Sequence, residues 1–415
     1  MKYFTTGFLL LCIAISSLKT VAQDSIKVEG RPNKVEEKPI EEKPKKWYET
    51  MKIGGYAQVR YNRLLETNPD LGCDQCDKSI GEKGGIFLRR ARLVFSGKLH
   101  DRVYFYFQPD FASAVDTDKQ NFLQVRDLYF DVFLDKKEVY RFRIGQSKVP
   151  FGYDNLQSSS RRLNLDRSDA INSAAANERD LGVFFYYTPE SIQKKFKKVY
   201  TSTLKGTGDY GLFGFGVYNG QTGNIAEQNN TVHVVTRAAY PFEIGKQNLE
   251  VAVQGYTGKF VVYKGHATSR GKEFTDRRVA ASFTLFPQPF GLQAEYTIGE
   301  GPRFDAGDPL VAGDSTVQLK SLTGGYVMLN YVFSKNKQNI IPFARFQYYD
   351  GGKKHEDDAR SYTVYETEFG IEWQPVPSFE LTVTYNIADR TYNSFAKPDN
   401  QQTGSFLRIQ AQVNF

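Results

Sequence analysis

Histidine, cysteine and long apolar runs are all scarce in this sequence, and each shortage removes a class of protein. The four histidines, His100, His233, His266 and His355, lie far apart, and no GxSxG or HExxH pattern occurs. "GFGVYNG" at 214–220 has the wrong spacing for a dinucleotide-binding turn and no helical pattern after it. These absences speak against an enzyme. Of three cysteines, Cys12 falls in an apolar leader, which leaves Cys73 and Cys76 in "GCDQC". A CxxC pair can be a redox centre or half a zinc site, but no second cysteine pair or histidine cluster completes one. In an exported chain a small disulfide that staples a loop is the simpler account. No metal or cofactor is expected. After the leader there is no uncharged apolar stretch of about 18 residues, so no transmembrane helix is expected either. No repeat period suggests a propeller, and no composition shift inside residues 51–415 suggests a domain boundary.

The first residues supply a compartment. Lys2 precedes the apolar run 8–15, and Thr20, Val21, Ala22 and Gln23 form a small-residue region, so residues 1–23 read as a cleaved secretory signal. Residues 24–50 follow, charged and proline-rich, with little to bury and no reason to order by themselves. Residues 51–415 form the folded domain. The formal charge of +7 falls to about +5 once Lys2 and Lys19 leave with the signal, which does not by itself decide a partner, and nothing points to nucleic acid.

What is abundant is alternation. Aromatic residues make up 14% of the chain, yet the mean hydropathy is only −0.49, too low for a helical membrane protein. A barrel whose strands spend every second residue on a wet lumen reconciles the two values. Sixteen runs of about ten residues alternate apolar and polar side chains, starting near Lys52, Gly85, Arg102, Phe122, Val139, Arg179, Asp209, Thr231, Asn248, Thr275, Phe290, Lys320, Ile340, Tyr362, Ser378 and Gly404. In the last run, "SFLRIQAQVNF", Leu407, Ile409, Ala411, Val413 and Phe415 oppose Arg408, Gln410, Gln412 and Asn414. Connections such as "HD", "DKKE", "PQP" and "QPVP" alternate with long ones such as 64–84, 149–178 and 389–403. An all-β transmembrane antiparallel barrel of sixteen strands, give or take two, with short turns at one end and long loops at the other, fits this pattern. One connection breaks it: 188–208 should be short, and is read either as an extra hairpin arm near 199–204 or as an error in the strand count.

If the apolar parity faces lipid, the lumen receives basic residues, among them Arg60, Arg90, Arg92, Arg141 and Arg143. It also receives Asp110, Asp127, Asp131, Glu250, Glu295, Glu366, Glu368, Glu372 and Glu380. Opposite charges can simply pair and hold the wall in shape. Their uneven spread along the strands suggests instead a wall with one basic side, able to select ions in a narrow channel. The loop 149–178 carries Arg161, Arg162 and Arg167, with Lys148 just before it. If it folds inward it narrows the pore and sets these cations on the path of an anion, since guanidinium forks suit phosphate oxygens. Asp154, Asp166 and Asp169 could neutralise the same charges.

Several segments resemble the phosphate-selective porin O and P family: "GGIFLRRARLVFSGKLHDRVYFYFQPDF" from Gly84, "RDLYFDVF" from Arg126, "RIGQSKVPFGYDNL" from Arg143, "ERDLGVFF" from Glu178, "FGVYNG" from Phe215 and "PFARFQYYDGG" from Pro342. The resemblance implies a sixteen-stranded outer-membrane barrel, usually trimeric, in which inward-folded loops and basic residues guide small anions such as phosphate or polyphosphate. The family's dense arginine ladder and lysine cluster do not match here position by position. A general diffusion porin for polar solutes or sugars, and a non-transport barrel acting through its outer loops, remain open. Outer-membrane lipid and the barrel assembly machinery are the expected partners, the latter through the terminal Phe415.

Overall fold

The computed structural model describes residues 46–64, 85–113, 121–174, 179–307, 316–395 and 401–415. The expected leader, residues 1–23, and the Cys73–Cys76 pair therefore lie outside the described residues.

Seventeen strand segments follow one another: β1 (Lys52–Leu64), β2 (Gly85–His100), β3 (Val103–Ser113), β4 (Phe122–Phe133), β5 (Tyr140–Lys148), β6 (Arg179–Tyr187), β7 (Phe213–Tyr218), β8 (His233–Ile244), β9 (Gln247–Val261), β10 (Glu273–Leu285), β11 (Phe290–Asp305), β12 (Thr316–Tyr331), β13 (Phe333–Lys335), β14 (Gln338–Gly352), β15 (Ser361–Val376), β16 (Phe379–Asn393) and β17 (Gln401–Asn414). Among the described residues three α-helices interrupt them: α1 (Tyr153–Leu156), α2 (Asp169–Asn172) and α3 (Glu190–Thr201). Neighbouring strands pair antiparallel, and β1 pairs β17 from Tyr56–Asn414 to Leu64–Phe406, closing the sheet. β13 continues β12 beyond Val332 along the same partner, β14, so the segments make sixteen staves. Closure leaves no edge, as a strand crossing lipid requires.

The alternation sorts side chains as the sequence implies. Along β17, Arg408, Gln410 and Gln412 are buried while Val413 and Phe415 are exposed; along β15, Glu366, Glu368 and Glu372 are buried while Phe369, Ile371 and Trp373 are exposed. The observed staves begin within four residues of the expected positions, but several run further at the loop end, β11 to Asp305 and β16 to Asn393. Above the hydrocarbon both faces of a strand meet water, so the hydrogen-bonded ladder continues where the two-faced pattern stops.

The seam depends on one glycine. A Cβ on Gly55 would sit 2.2 Å from the Arg92 carbonyl oxygen and 2.9 Å from the Phe415 ring. With hydrogen there, Gly55 and Phe415 exchange both backbone bonds, 2.8 and 3.1 Å long. Close backbone approach of this kind excludes any side chain.

The 188–208 connection contains a helix, α3, and not the expected hairpin arm. Pro189 precedes it, and Ile192, Phe196 and Val199, spaced by four and three, form its buried face. The interior also departs from a purely polar lining. Val149, Phe151, Ile171 and Ala174 pack on Phe184, Tyr186, Tyr218, Val235, Tyr256 and Ala280, and Leu163 packs on Tyr326, Met328, Ile341 and Phe343. Inward-facing apolar wall residues occur where the loop after β5 rests on them.

Candidate functional site

All but four of residues 149–174 are buried, and the loop is bound to the far wall. Asp166 accepts from Arg60 on β1 at 3.0 Å, Arg408 on β17 at 2.5 Å and Arg89 on β2 at 3.3 Å. Burial alone would raise the Asp166 carboxyl, but the charges of Arg60, Arg408 and Arg89 hold it well below the usual range. Arg345 on β14 donates to the Asp166 carbonyl at 2.9 Å and pairs with Glu368, which Arg408 also reaches. Asp169 meets Lys353 at 2.5 Å and Arg390 at 3.4 Å. Glu295 on β11 accepts the N–H groups of Tyr153 and Asp154 at 2.8 and 3.1 Å, and Arg278 on β10 donates to Ser173. Because these anchors come from widely separated staves, the loop lies across the lumen.

Two irregularities add arginines to the buried face. On β2, Gln58 faces Arg90 and Val59 faces Leu88, so Arg89 is the extra residue of a bulge. On β4, Gln108 faces Asp127 and Pro109 faces Val125, so Arg126 is extra. A bulge shifts the parity by one and re-aims a side chain, and a proline fits beside it because no ladder donor is required there. Arg89 thus turns to Asp166, and Arg126 is buried. Sequence alternation alone could not reveal either residue.

The expected site residues separate into distinct roles. Lys148 directs its ammonium to the carbonyls of Asn155, Leu156 and Gln157, each at 3.0 Å, so its donors hold the last turn of α1. Arg167 joins it, donating to the Asp154 carbonyl at 2.9 Å. Arg161 lies 4.2 Å from the Tyr200 ring and donates to that residue's carbonyl. Arg162 differs: its side chain is 1% exposed, its nearest acid is Asp154 at 3.9 Å, and Nε and Nη1 have no hydrogen-bond partner among the described residues. On the wall, Arg90 donates to Gln58 at 2.7 Å and Arg92 bonds Asp110 and the Tyr56 hydroxyl, each at 2.6 Å. Arg143 forks onto Asp131 at 2.7 and 2.8 Å, and Arg141 approaches Asp209 at 3.6 Å. Arg179 and Arg390, which alternation did not single out, pair with Asp127 and Glu366.

The pairing is uneven around the barrel. Among the described residues of β1 to β6, seven buried cations (Arg60, Arg90, Arg92, Arg126, Arg143, Lys148 and Arg179) face four buried acids (Asp110, Asp127, Asp131 and Asp180). On β7 to β17, five buried arginines face six buried acids. The wall is basic on the side from which the loop springs. A cavity of about 420 Å³ adjoins that side, lined by Tyr104, Tyr106, Tyr129, Arg141, Lys197 and Tyr200 among others.

Comparison with known proteins agrees with this architecture. The chain resembles the outer-membrane channel DcaP of Acinetobacter baumannii (TM-score 0.51, 13% identity, 88% of this chain and 97% of that one). It also resembles OmpF of Salmonella typhi in complex with daunomycin (TM-score 0.54, 13% identity, 88% and 97%). OmpT of Vibrio cholerae in its trimer form is similar as well (TM-score 0.51, 10% identity, 88% and 99%). At such identities the likeness is one of fold. No curated protein sequence matches the chain. The family model described as phosphate-selective porin O and P matches residues 66–415, so the chain belongs to that family and is an outer-membrane porin.

Proposed function

We propose that this porin passes small anions, with oxyanions such as phosphate or polyphosphate favoured, past the inward loop 149–178. The observation that carries the reading is Arg162, a buried guanidinium with free donors in a neighbourhood that also holds Arg89, Arg90 and Arg167. Excess charge behind low-dielectric walls attracts anions, and free guanidinium donors bind oxyanions more strongly than they bind chloride. Lys148, Arg161 and Arg167 act in this reading by shaping the loop, since their donors are engaged with backbone. Arg162→Gln tests it in planar bilayers: anion preference and block of chloride current by phosphate should both fall, and an unchanged block would sink the assignment. The tyrosines lining the 420 Å³ cavity favour a second reading, general diffusion of polar solutes or sugars, which liposome swelling with neutral oligosaccharides would detect.

Export by residues 1–23, recognition of Phe415 by the assembly machinery and a homotrimeric assembly belong to the same proposal. Support comes from the two-faced terminal strand and from OmpT, which was solved as a trimer. Chemical cross-linking in native membranes checks the assembly: a ladder ending at three chains is expected, and one ending at a single chain contradicts it.

A further inference from the structure

The connection 188–212 leaves β6 and returns to β7 at the end of the barrel where β1 begins, β17 ends and the short turns lie, yet it is much longer than those turns. α3 is held at that rim by Lys137–Glu190 at 2.6 Å, Lys198–Glu243 at 2.7 Å and Gln193, which donates to the carbonyls of Lys137 and Glu138. Its apolar face does not turn to lipid. Ile192 and Phe196 pack on Ala239 and Ala252, small residues on the buried parity of β8 and β9. Val199 reaches Tyr153 of the inward loop, together with Phe286 and Leu204. The chain then turns back on the end of the helix, the Gly206 N–H bonding the Val199 carbonyl at 3.0 Å, and presents Lys205, whose ammonium pairs with Glu372 at 2.7 Å and Glu380 at 3.2 Å.

Those two acids identify the route. β6 is the sixth stave, and β15 and β16 are the fourteenth and fifteenth of sixteen, so Lys205 meets the wall half a perimeter from where the segment began. Sixteen staves spaced by about 4.8 Å and tilted by about 40° give a diameter of roughly 32 Å. A helix of 12 residues covers about 18 Å, and because the chain folds back at Val199–Gly206 the rest of the span is bridged by the side chains of Lys205, Glu372 and Glu380. The segment also touches the loop 149–178 twice more: Gln157 donates to the Lys205 carbonyl at 2.7 Å, and Arg161 rests on Tyr200.

We propose that residues 188–208 form a second constriction of the pore, a strap across its periplasmic mouth in series with the loop 149–178 and locked by Lys205 between Glu372 and Glu380. The inference rests on the reading of this chain as a pore. The cavity lined by Tyr104, Tyr106, Tyr129 and Lys197 then lies between two barriers, and a solute leaving it must pass the strap. The lock is a buried charge triad, so removing its single cation leaves two carboxylates close together and unpaired. They repel, and the strap loses its far anchor.

The test is single-channel conductance of the refolded full chain in potassium chloride. It compares the wild type, Lys205→Met, and a variant in which 190–206 is replaced by a short glycine–serine link, each first shown to be a heat-modifiable folded barrel. We expect at least a twofold rise in conductance for the replacement and an intermediate rise for Lys205→Met, with the sign of the reversal potential kept because the loop arginines remain. Equal conductance in all three proteins overturns the strap and leaves the pore reading intact. A silent wild type with conducting variants supports the strap, whereas silence in all three overturns the pore reading and the strap with it.

Discussion

Asp166→Asn should loosen the inward loop and at the same time make the pore more anion-selective. Asp166 is the point where Arg60, Arg89 and Arg408 converge from three staves at 3.0, 3.3 and 2.5 Å. Removing one partner of a buried ion pair destabilises by about 3–5 kcal/mol. Two of the arginines keep other acceptors, Arg60 on Gln410 at 2.7 Å and Arg408 on Glu368 at 3.2 Å, and the amide still offers one oxygen. The lower end, about 3 kcal/mol, is therefore the expected loss, roughly a 150-fold shift in the docking equilibrium of the loop at about 1.4 kcal/mol per decade. Hydrogen exchange in detergent micelles reads this directly: amides of residues 153–172 should lose protection while β14 to β16 keep theirs. In the bilayer the variant gains one positive charge in the lumen, so its reversal potential should move further toward the anion limit. Unchanged protection together with an unchanged reversal potential would refute the view that Asp166 anchors the loop and offsets the basic wall.

Other consequences can be checked separately. Gly55→Ala puts a Cβ 2.2 Å from the Arg92 carbonyl on β2 and 2.9 Å from the Phe415 ring, so β1 must shift at the seam at a cost of about 1–3 kcal/mol; the heat-modification temperature should drop, and no drop would contradict the packing at the seam. Deleting Phe415 should sharply reduce the amount of barrel in the outer membrane, while the channels that do assemble conduct normally; wild-type levels would remove the assembly role. In the loop 353–360, His355 is buried. Burial first, and the charge of Lys354 second, hold its pKa well below the ordinary histidine value. As pH falls below about 6.5 the unfolded loop takes up a proton that the folded loop resists, so stability is lost on acidification. Exchange protection of that loop should fall between pH 7 and pH 5, His355→Phe should flatten the dependence, and a wild type without pH dependence would refute the assignment.

The staves were legible because lipid and lumen impose different chemistry on alternate residues. Glu366, Glu368 and Glu372 against Phe369, Ile371 and Trp373 can be read without coordinates. Departures from strict alternation were not legible. Arg89 and Arg126 enter the lumen through bulges, which depend on how two strands pair rather than on either strand alone. The loop 149–178 was recognisable by length and charge, but which arginine keeps free donors was not, because Lys148, Arg161 and Arg167 are taken up by backbone groups that only folding brings near. α3 carried a helical signal in the spacing of Ile192, Phe196 and Val199, masked by the expectation that every segment of a barrel is strand or turn.

The reversal potential of the purified, refolded wild-type protein across a potassium chloride gradient, repeated with phosphate on one side, tests the central claim most directly. An uneven lumen with seven buried cations against four acids on the β1 to β6 side predicts anion preference and block of chloride current by phosphate. A cation-selective or unselective pore that phosphate does not block would contradict it.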